Sequence, residues 1–192
     1  MKRKPSAIVS VAAFILALTL VIALIPTEAE AAIYSDTVRL HIRARSDSEE
    51  DQAVKLYIRD KLLSEFTTEK LPKNKEEAEE ALRLRIAEIT EAVDGWLSEM
   101  GCDYGCKVTV KEEWFDTRDY GEFSFPSGVY TTLLIELDGG AGENWWCVMY
   151  PPMCREVAVG NICYTTEESR LIYGGRYAVK FKLLEVCASL AK

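Results

Sequence analysis

An α+β fold is expected: a single domain with two helices packed on a mainly antiparallel sheet, preceded by an N-terminal signal peptide or anchor helix. Three observations predict it. Between positions 48 and 101, two stretches carry apolar residues at helical spacing behind side chains suited to capping. Stretches before and after them alternate apolar and polar residues, or are rich in β-branched and aromatic ones, as strands are. The amino terminus holds an uncharged run that no soluble core accommodates.

Lys2, Arg3 and Lys4 precede residues 7–25, which contain 19 residues without a charge, and Ala29-Glu30-Ala31 supplies the small residues of a cleavage site. The expected organisation is a signal peptide over residues 1–31, cut after Ala31, and an exported domain over residues 32–192. The apolar run also approaches the roughly 20 residues that span a bilayer as a helix. Retention as a membrane anchor is therefore the alternative, and both outcomes place the rest of the chain outside the cytoplasm.

Residues 37–45 alternate Val38, Leu40, Ile42 and Ala44 with Arg39, His41, Arg43 and Arg45, so a half-buried strand with one apolar and one basic face is expected. Ser46-Asp47-Ser48-Glu49-Glu50-Asp51 then starts a helix near Ser48, with Ser48 and Asp51 at capping-box spacing and acids where the helix dipole favours them. Ala53, Leu56, Tyr57, Asp60 and Leu63 keep helical spacing, and the row Val54, Ile58, Leu62 widens the apolar face to about residue 66. Leu71-Pro72-Lys73 breaks the chain, after which Asn74 and Glu77 cap a second helix over about residues 75–100. Its core stripe is Leu82, Ile86, Ile89, Val93, Trp96, Leu97 and Met100, and Gly101 stands where a helix carboxyl cap belongs.

Residues 107–115 and 129–137 read as strands, from the single parity of Val108, Val110 and Trp114 and from β-branched and aromatic enrichment. Asp138-Gly139-Gly140-Ala141-Gly142 supplies positive-φ positions for a reversal, so residues 144–150 are expected to return as a paired strand, ended by Pro151-Pro152. Residues 177–190 alternate at first and then take helical spacing, which predicts a strand running into a short helix.

The chain has 23 basic and 31 acidic residues, and removing residues 1–31 leaves 20 against 29, a net charge of −9. Such a domain is a poor match for nucleic acid or anionic lipid. Six cysteines in an exported chain make disulfides admissible, and sequence alone does not choose among fifteen full pairings.

Enzymatic motifs are absent: the chain has no Gly-x-Ser-x-Gly elbow, His-Glu-x-x-His pair or phosphate-loop lysine. The single histidine, His41, lacks evident metal or triad partners, which makes a surface or packing role the expectation. Cys102-x3-Cys106 is at most half a zinc site, and no metal or cofactor is expected. Cys147 and Cys154 flank Met149-Tyr150-Pro151-Pro152-Met153, where a bridge would fix the strand end. Trp145 and Trp146 must face opposite sides of a strand, so one packs inward; the other either anchors an interface or lies under the second helix. Asp116 and Asp119 near Arg118, with Asp47, are the carboxylates of an alternative reading as an exported hydrolase, although spacing does not establish a cleft. A structural envelope protein is a third reading. Arg39, Arg43 and Arg45 form a basic stripe that either attracts a partner's acid or pairs with internal carboxylates, the commoner outcome.

Several of these segments together resemble one family. Arg39-Leu40-His41-Ile42-Arg43-Ala44-Arg45-Ser46-Asp47-Ser48-Glu49-Glu50-Asp51-Gln52-Ala53-Val54-Lys55-Leu56, then Thr117-Arg118-Asp119-Tyr120-Gly121, Phe125-Pro126-Ser127-Gly128-Val129-Tyr130 and Asn144-Trp145-Trp146-Cys147-Val148-Met149-Tyr150-Pro151-Pro152-Met153-Cys154 are similar, in order, to the stage II sporulation protein R family. Arg45, Ser127, Met149 and Met153 depart from its usual residues. The resemblance implies a protein that is not an enzyme, made in the forespore and secreted into the space between the two sporulating cells. There it would activate the membrane-embedded aspartic protease of the mother cell that processes pro-sigma-E. Candidate contact or scaffold residues are then His41, Arg43, Ser46, Asp47, Asp51, Arg118, Tyr120, Trp145 and Trp146, with Cys147 and Cys154 as the candidate disulfide.

Overall fold

The computed structural model describes residues 7–24, 28–66, 72–119 and 124–150, together with Ile172. In chain order the elements are α1 (Ala7–Leu24), α2 (Glu28–Ser35), β1 (Val38–Arg43), α3 (Glu49–Glu65), α4 (Lys75–Leu84), α5 (Ile86–Glu99), β2 (Cys106–Phe115), β3 (Arg118–Asp119), β4 (Ser124–Phe125), β5 (Gly128–Leu137) and β6 (Asn144–Tyr150). The α+β class is as expected. The chain divides into two compact units, one of residues 1–32, 116–127 and 166–192, the other of residues 33–115 and 128–165.

In the first unit, α1 carries no charge, and Ile8, Phe14, Ile15 and Leu16 are all exposed. Its 18 residues reach about 27 Å at 1.5 Å per residue, short of a roughly 30 Å hydrocarbon core. No helix among the described residues is long and apolar enough to cross a membrane. β3 and β4 form a two-stranded antiparallel ladder, Arg118 opposite Phe125.

The second unit is built on a four-stranded sheet of order β2-β5-β1-β6. β1 runs parallel to β5, while β2 on β5 and β6 on β1 are antiparallel. The reversal after β5 has its positive φ at Asp138, Gly139 and Gly140, as the sequence predicts. The strand it returns nevertheless pairs with β1, not with β5, because both edges of β5 are already occupied.

Helices cover one face. Leu40 and Ile42 from β1, Val108 and Val110 from β2, and Leu133 and Ile135 from β5 pack with Val54, Ile58 and Leu62 of α3 and with Ile89, Val93 and Leu97 of α5. Full burial of each such aliphatic side chain is worth about 1.5–3 kcal/mol relative to exposure. In β6 an extra residue, Met149, shifts the register between Val38 and Arg39 and turns Tyr150 onto Val38 and Ala78.

The caps are those the sequence predicts. Ser48 Oγ accepts the Asp51 N–H at 3.2 Å, and Asn74 Oδ1 accepts the Glu77 N–H at 2.8 Å. Gly101, at φ 76°, closes α5: its N–H donates to the Ser98 carbonyl and that of Cys102 to the Leu97 carbonyl, the paired bonds of a Schellman motif.

Three expectations need correction. The second helix is two, α4 and α5, because the chain bends at Arg85, whose N–H is shared between the carbonyls of Ala81 and Leu82. The bend lets α4 meet Val38 and Tyr150 while α5 meets the main core. Met100 and Leu56 follow the apolar stripes yet are exposed, at 42% and 40%, since each lies just outside the arc its helix buries. Finally, the basic face of β1 is not solvated: Arg39 and His41 are 0% and 3% exposed. The expected strand and helix of residues 177–190 lie outside the described residues.

Candidate functional site

Two polar clusters hold most of the residues singled out in the sequence, and both belong to the second unit. The first lies on the sheet face opposite the main helical core. His41 Nδ1 is 2.7 Å from Glu113 Oε2 and its Nε2 is 2.8 Å from Asn144 Oδ1. The ring stacks on Trp146, with centroids 5.3 Å apart and planes at 24°, and meets the Phe115 ring edge-on. Glu113 reaches across the intervening β5 to accept from Arg43 Nη2 at 2.9 Å, and Lys111 Nζ is 3.6 Å away. Arg43 also donates to Glu136. Deeper in the same face, Arg39 donates Nε to the Cys147 carbonyl at 3.1 Å, with its guanidinium 4.5 Å from the Phe115 ring centroid.

Burial pushes the Glu113 carboxyl up, but the hydrogen bond to His41 and the charges of His41, Lys111 and Arg43 outweigh it and hold the group below its ordinary value. The network draws on all four strands: β1 by His41 and Arg43, β2 by Glu113, β5 by Glu136, β6 by Asn144 and Trp146. It is a clamp across the sheet, with little room for a substrate at a ring 3% exposed.

The second cluster ties three loops. Asp51, 3% exposed in the first turn of α3, accepts hydrogen bonds from Ser46 Oγ, from Arg45 Nε at 3.1 Å and from the Tyr104 hydroxyl at 3.3 Å. The Arg45 guanidinium lies 4.6 Å from the Tyr104 ring centroid. Asp47 Oδ1 accepts the Glu143 N–H at 2.6 Å, and Gly142 donates its N–H to the Ala44 carbonyl at 2.8 Å. Lys55, 5% exposed, donates to Gln52 Oε1 and to the Glu143 carbonyl; burial lowers its affinity for the proton. The Ser46 hydrogen bond, ahead of that from Arg45, holds the Asp51 carboxyl below its ordinary value against the opposing effect of burial.

Both depressed carboxylates set an acid limit on stability. A group whose folded value lies below its unfolded one stabilises the fold above the unfolded value, about 4, and loses that contribution as pH falls through the folded one. Denaturant midpoints are expected to stay level from pH 7 to about 5 and to drop below about 4. Asp51→Asn should flatten part of that drop; an unchanged acid profile in this variant counts against the assignment.

The remaining candidates fall elsewhere. Trp145 is on the helix face, under the Arg59 guanidinium at 5.4 Å, and Trp146 on the other, so the two do face opposite sides, and both are partly buried. Arg118 pairs within the short β3–β4 ladder of the first unit. Tyr120 and Cys154 lie outside the described residues, so the Cys147–Cys154 bridge has one described end, Cys147, buried in β6. Asp47 is engaged with a backbone N–H, and Asp116 is exposed in the first unit. Among the described residues, no group of three or more His, Cys, Asp or Glu is placed to hold a metal ion.

Sequence reasoning did not single out Glu113, Tyr104, Asn144 as the His41 partner, or Glu143. Glu113 had a signal: in β2 it shares the parity of Lys107 and Lys111, opposite the apolar Val108 and Val110. Nothing local marked it as the carboxylate for His41, 72 positions away.

The model of a family described as stage II sporulation protein R matches residues 34–159. Stage II sporulation protein R of Bacillus subtilis (strain 168) is 37% identical over 123 residues, which cover 64% of this chain and 55% of that protein. The chain thus spans about half the length of the curated relative it matches. No solved structure matches. Both clusters of the second unit fall inside the matched span, and the chain belongs to the stage II sporulation protein R family.

Proposed function

We propose that the chain is an exported intercellular signal of sporulation that activates the membrane-embedded aspartic protease processing pro-sigma-E in the mother cell. The observation that carries this reading is the family match over residues 34–159. Two structural features support it. The amino-terminal helix α1 carries no charge, as the core of an export signal requires, and the signature residues His41 and Asp51 serve as buried ties within the fold. A stable scaffold that presents a recognition surface needs no nucleophile of its own. The mechanism is binding that favours the protease's active arrangement.

In this reading residues 1–31 direct export and residues 32–192 act in the intermembrane space, released or held by the apolar helix. No cofactor takes part. The exposed rim of the sheet clamp, where Arg43 and Trp146 are only partly buried, is the candidate contact surface. A Cys147–Cys154 bridge belongs to the same picture, and the intact mass of the exported form should then be lighter by two hydrogens than its reduced form; equal masses would remove the bridge.

The function is tested by expressing the protein with the protease and pro-sigma-E in a non-sporulating host. Cleavage of pro-sigma-E is expected only when this chain is present and exported. Equal processing without it sinks the proposal.

A further inference from the structure

The expected cleavage site and the fold meet at one helix. α2 runs Glu28–Ser35, so the peptide bond between Ala31 and Ala32 has helical residues on both sides. Just beyond it the chain is fixed. Ile33 and Thr37 are fully buried, and the Thr37 hydroxyl donates to the Ile33 carbonyl at 2.6 Å. The Tyr34 ring stands edge-on to Tyr130, centroids 5.2 Å apart, and fills the space that a Cβ on Gly128 would need, with Cε1 only 2.7 Å from that position. Lys75 Nζ donates to the Tyr34 carbonyl at 3.4 Å. Ala32 alone separates the scissile bond from a buried side chain.

Bound peptides commonly lie extended along a strand edge, hydrogen-bonded through their backbone, so although Ala31 is exposed the segment must leave its helix before it can be cut. The Ala31–Ala32 peptide group lies in the middle of α2, where helical geometry engages both its carbonyl and its N–H. Unwinding the helix toward its carboxyl end would pull Ile33 and Tyr34 out of their sites. We infer that docking of residues 33–37 onto the folded domain closes the Ala31–Ala32 bond to hydrolysis by a signal peptidase, so that the order of two events decides the form of the protein. A chain cut before it folds is released; a chain that folds first keeps its apolar helix. The chemistry is peptide hydrolysis, in which water adds across the bond and leaves a carboxylate on Ala31 and an amino group on Ala32. This inference rests on the export reading above.

The test uses the full chain, folded in detergent micelles, with a purified bacterial signal peptidase. It is run beside a synthetic peptide of residues 20–38 and a full-length variant with a short Gly/Ser linker inserted between Ala32 and Ile33. The folded chain should be cut at least about tenfold more slowly than the peptide, because only the opened fraction reacts. The insertion variant should be cut like the peptide, with its circular dichroism unchanged, and Tyr34→Ala should fall between. Cutting of the folded chain at the peptide's rate overturns the gate, and so does an insertion variant that stays resistant. A peptide that is not cut at all overturns the cleavage reading itself, and the gate with it.

Discussion

Gly142→Ala should destabilise the protein by about 3 kcal/mol or more, among the larger effects a single methyl produces. A Cβ at this position would lie 2.2 Å from the Ser46 carbonyl oxygen and 2.4 Å from its carbon. Both are backbone atoms, so no flexible side chain can move aside. Relief requires parting the loop after β1 from the turn before β6, and with it go the Gly142–Ala44, Glu143–Asp47 and Lys55–Glu143 bonds. Gly95→Ala is the matched control. Gly95 is exposed in α5 with nothing within 4 Å of a new Cβ, so the same substitution should stabilise by about 0.5–1 kcal/mol. Denaturant unfolding reads both as midpoint shifts of opposite sign with little change in slope. A Gly142→Ala midpoint within error of the wild type would show that the two loops do not touch in this way.

Glu113→Ala should be comparably damaging, about 3 kcal/mol, because it leaves His41 and Arg43 without their shared carboxylate in a largely buried site. Glu113→Gln keeps the shape and one acceptor oxygen and should cost about half as much. The decisive measurement is a double-mutant cycle with His41→Gln. If the two side chains act as one unit, their combined effect falls short of the sum by at least about 1 kcal/mol. Strict additivity would mean that the 2.7 Å contact contributes nothing to stability.

Glu113→Ala also releases Arg43 on the candidate contact surface, so it disturbs stability and that surface together. In the co-expression assay, a destabilised but exported Gly142→Ala protein should lose activity in proportion to its folded fraction.

What the sequence determined by itself is mostly local. Ser48, Asn74 and Gly101 mark the starts and the end of helices because a cap is decided by groups three or four positions apart. The alternation of residues 37–45 sets which side chains of β1 share a face, and the uncharged amino-terminal run needs no fold to be read. The tertiary structure alone decided that β1 lies between β5 and β6, that the second helix bends at Arg85, and that both faces of β1 are covered. It also decided that the polar residues of the signature are buried ties. His41 meets Glu113 across 72 positions and Asp51 meets Tyr104 across 53. Burying one of these groups is favourable only once its partner stands opposite it, so their roles depend on which surfaces the finished sheet and helices bring together.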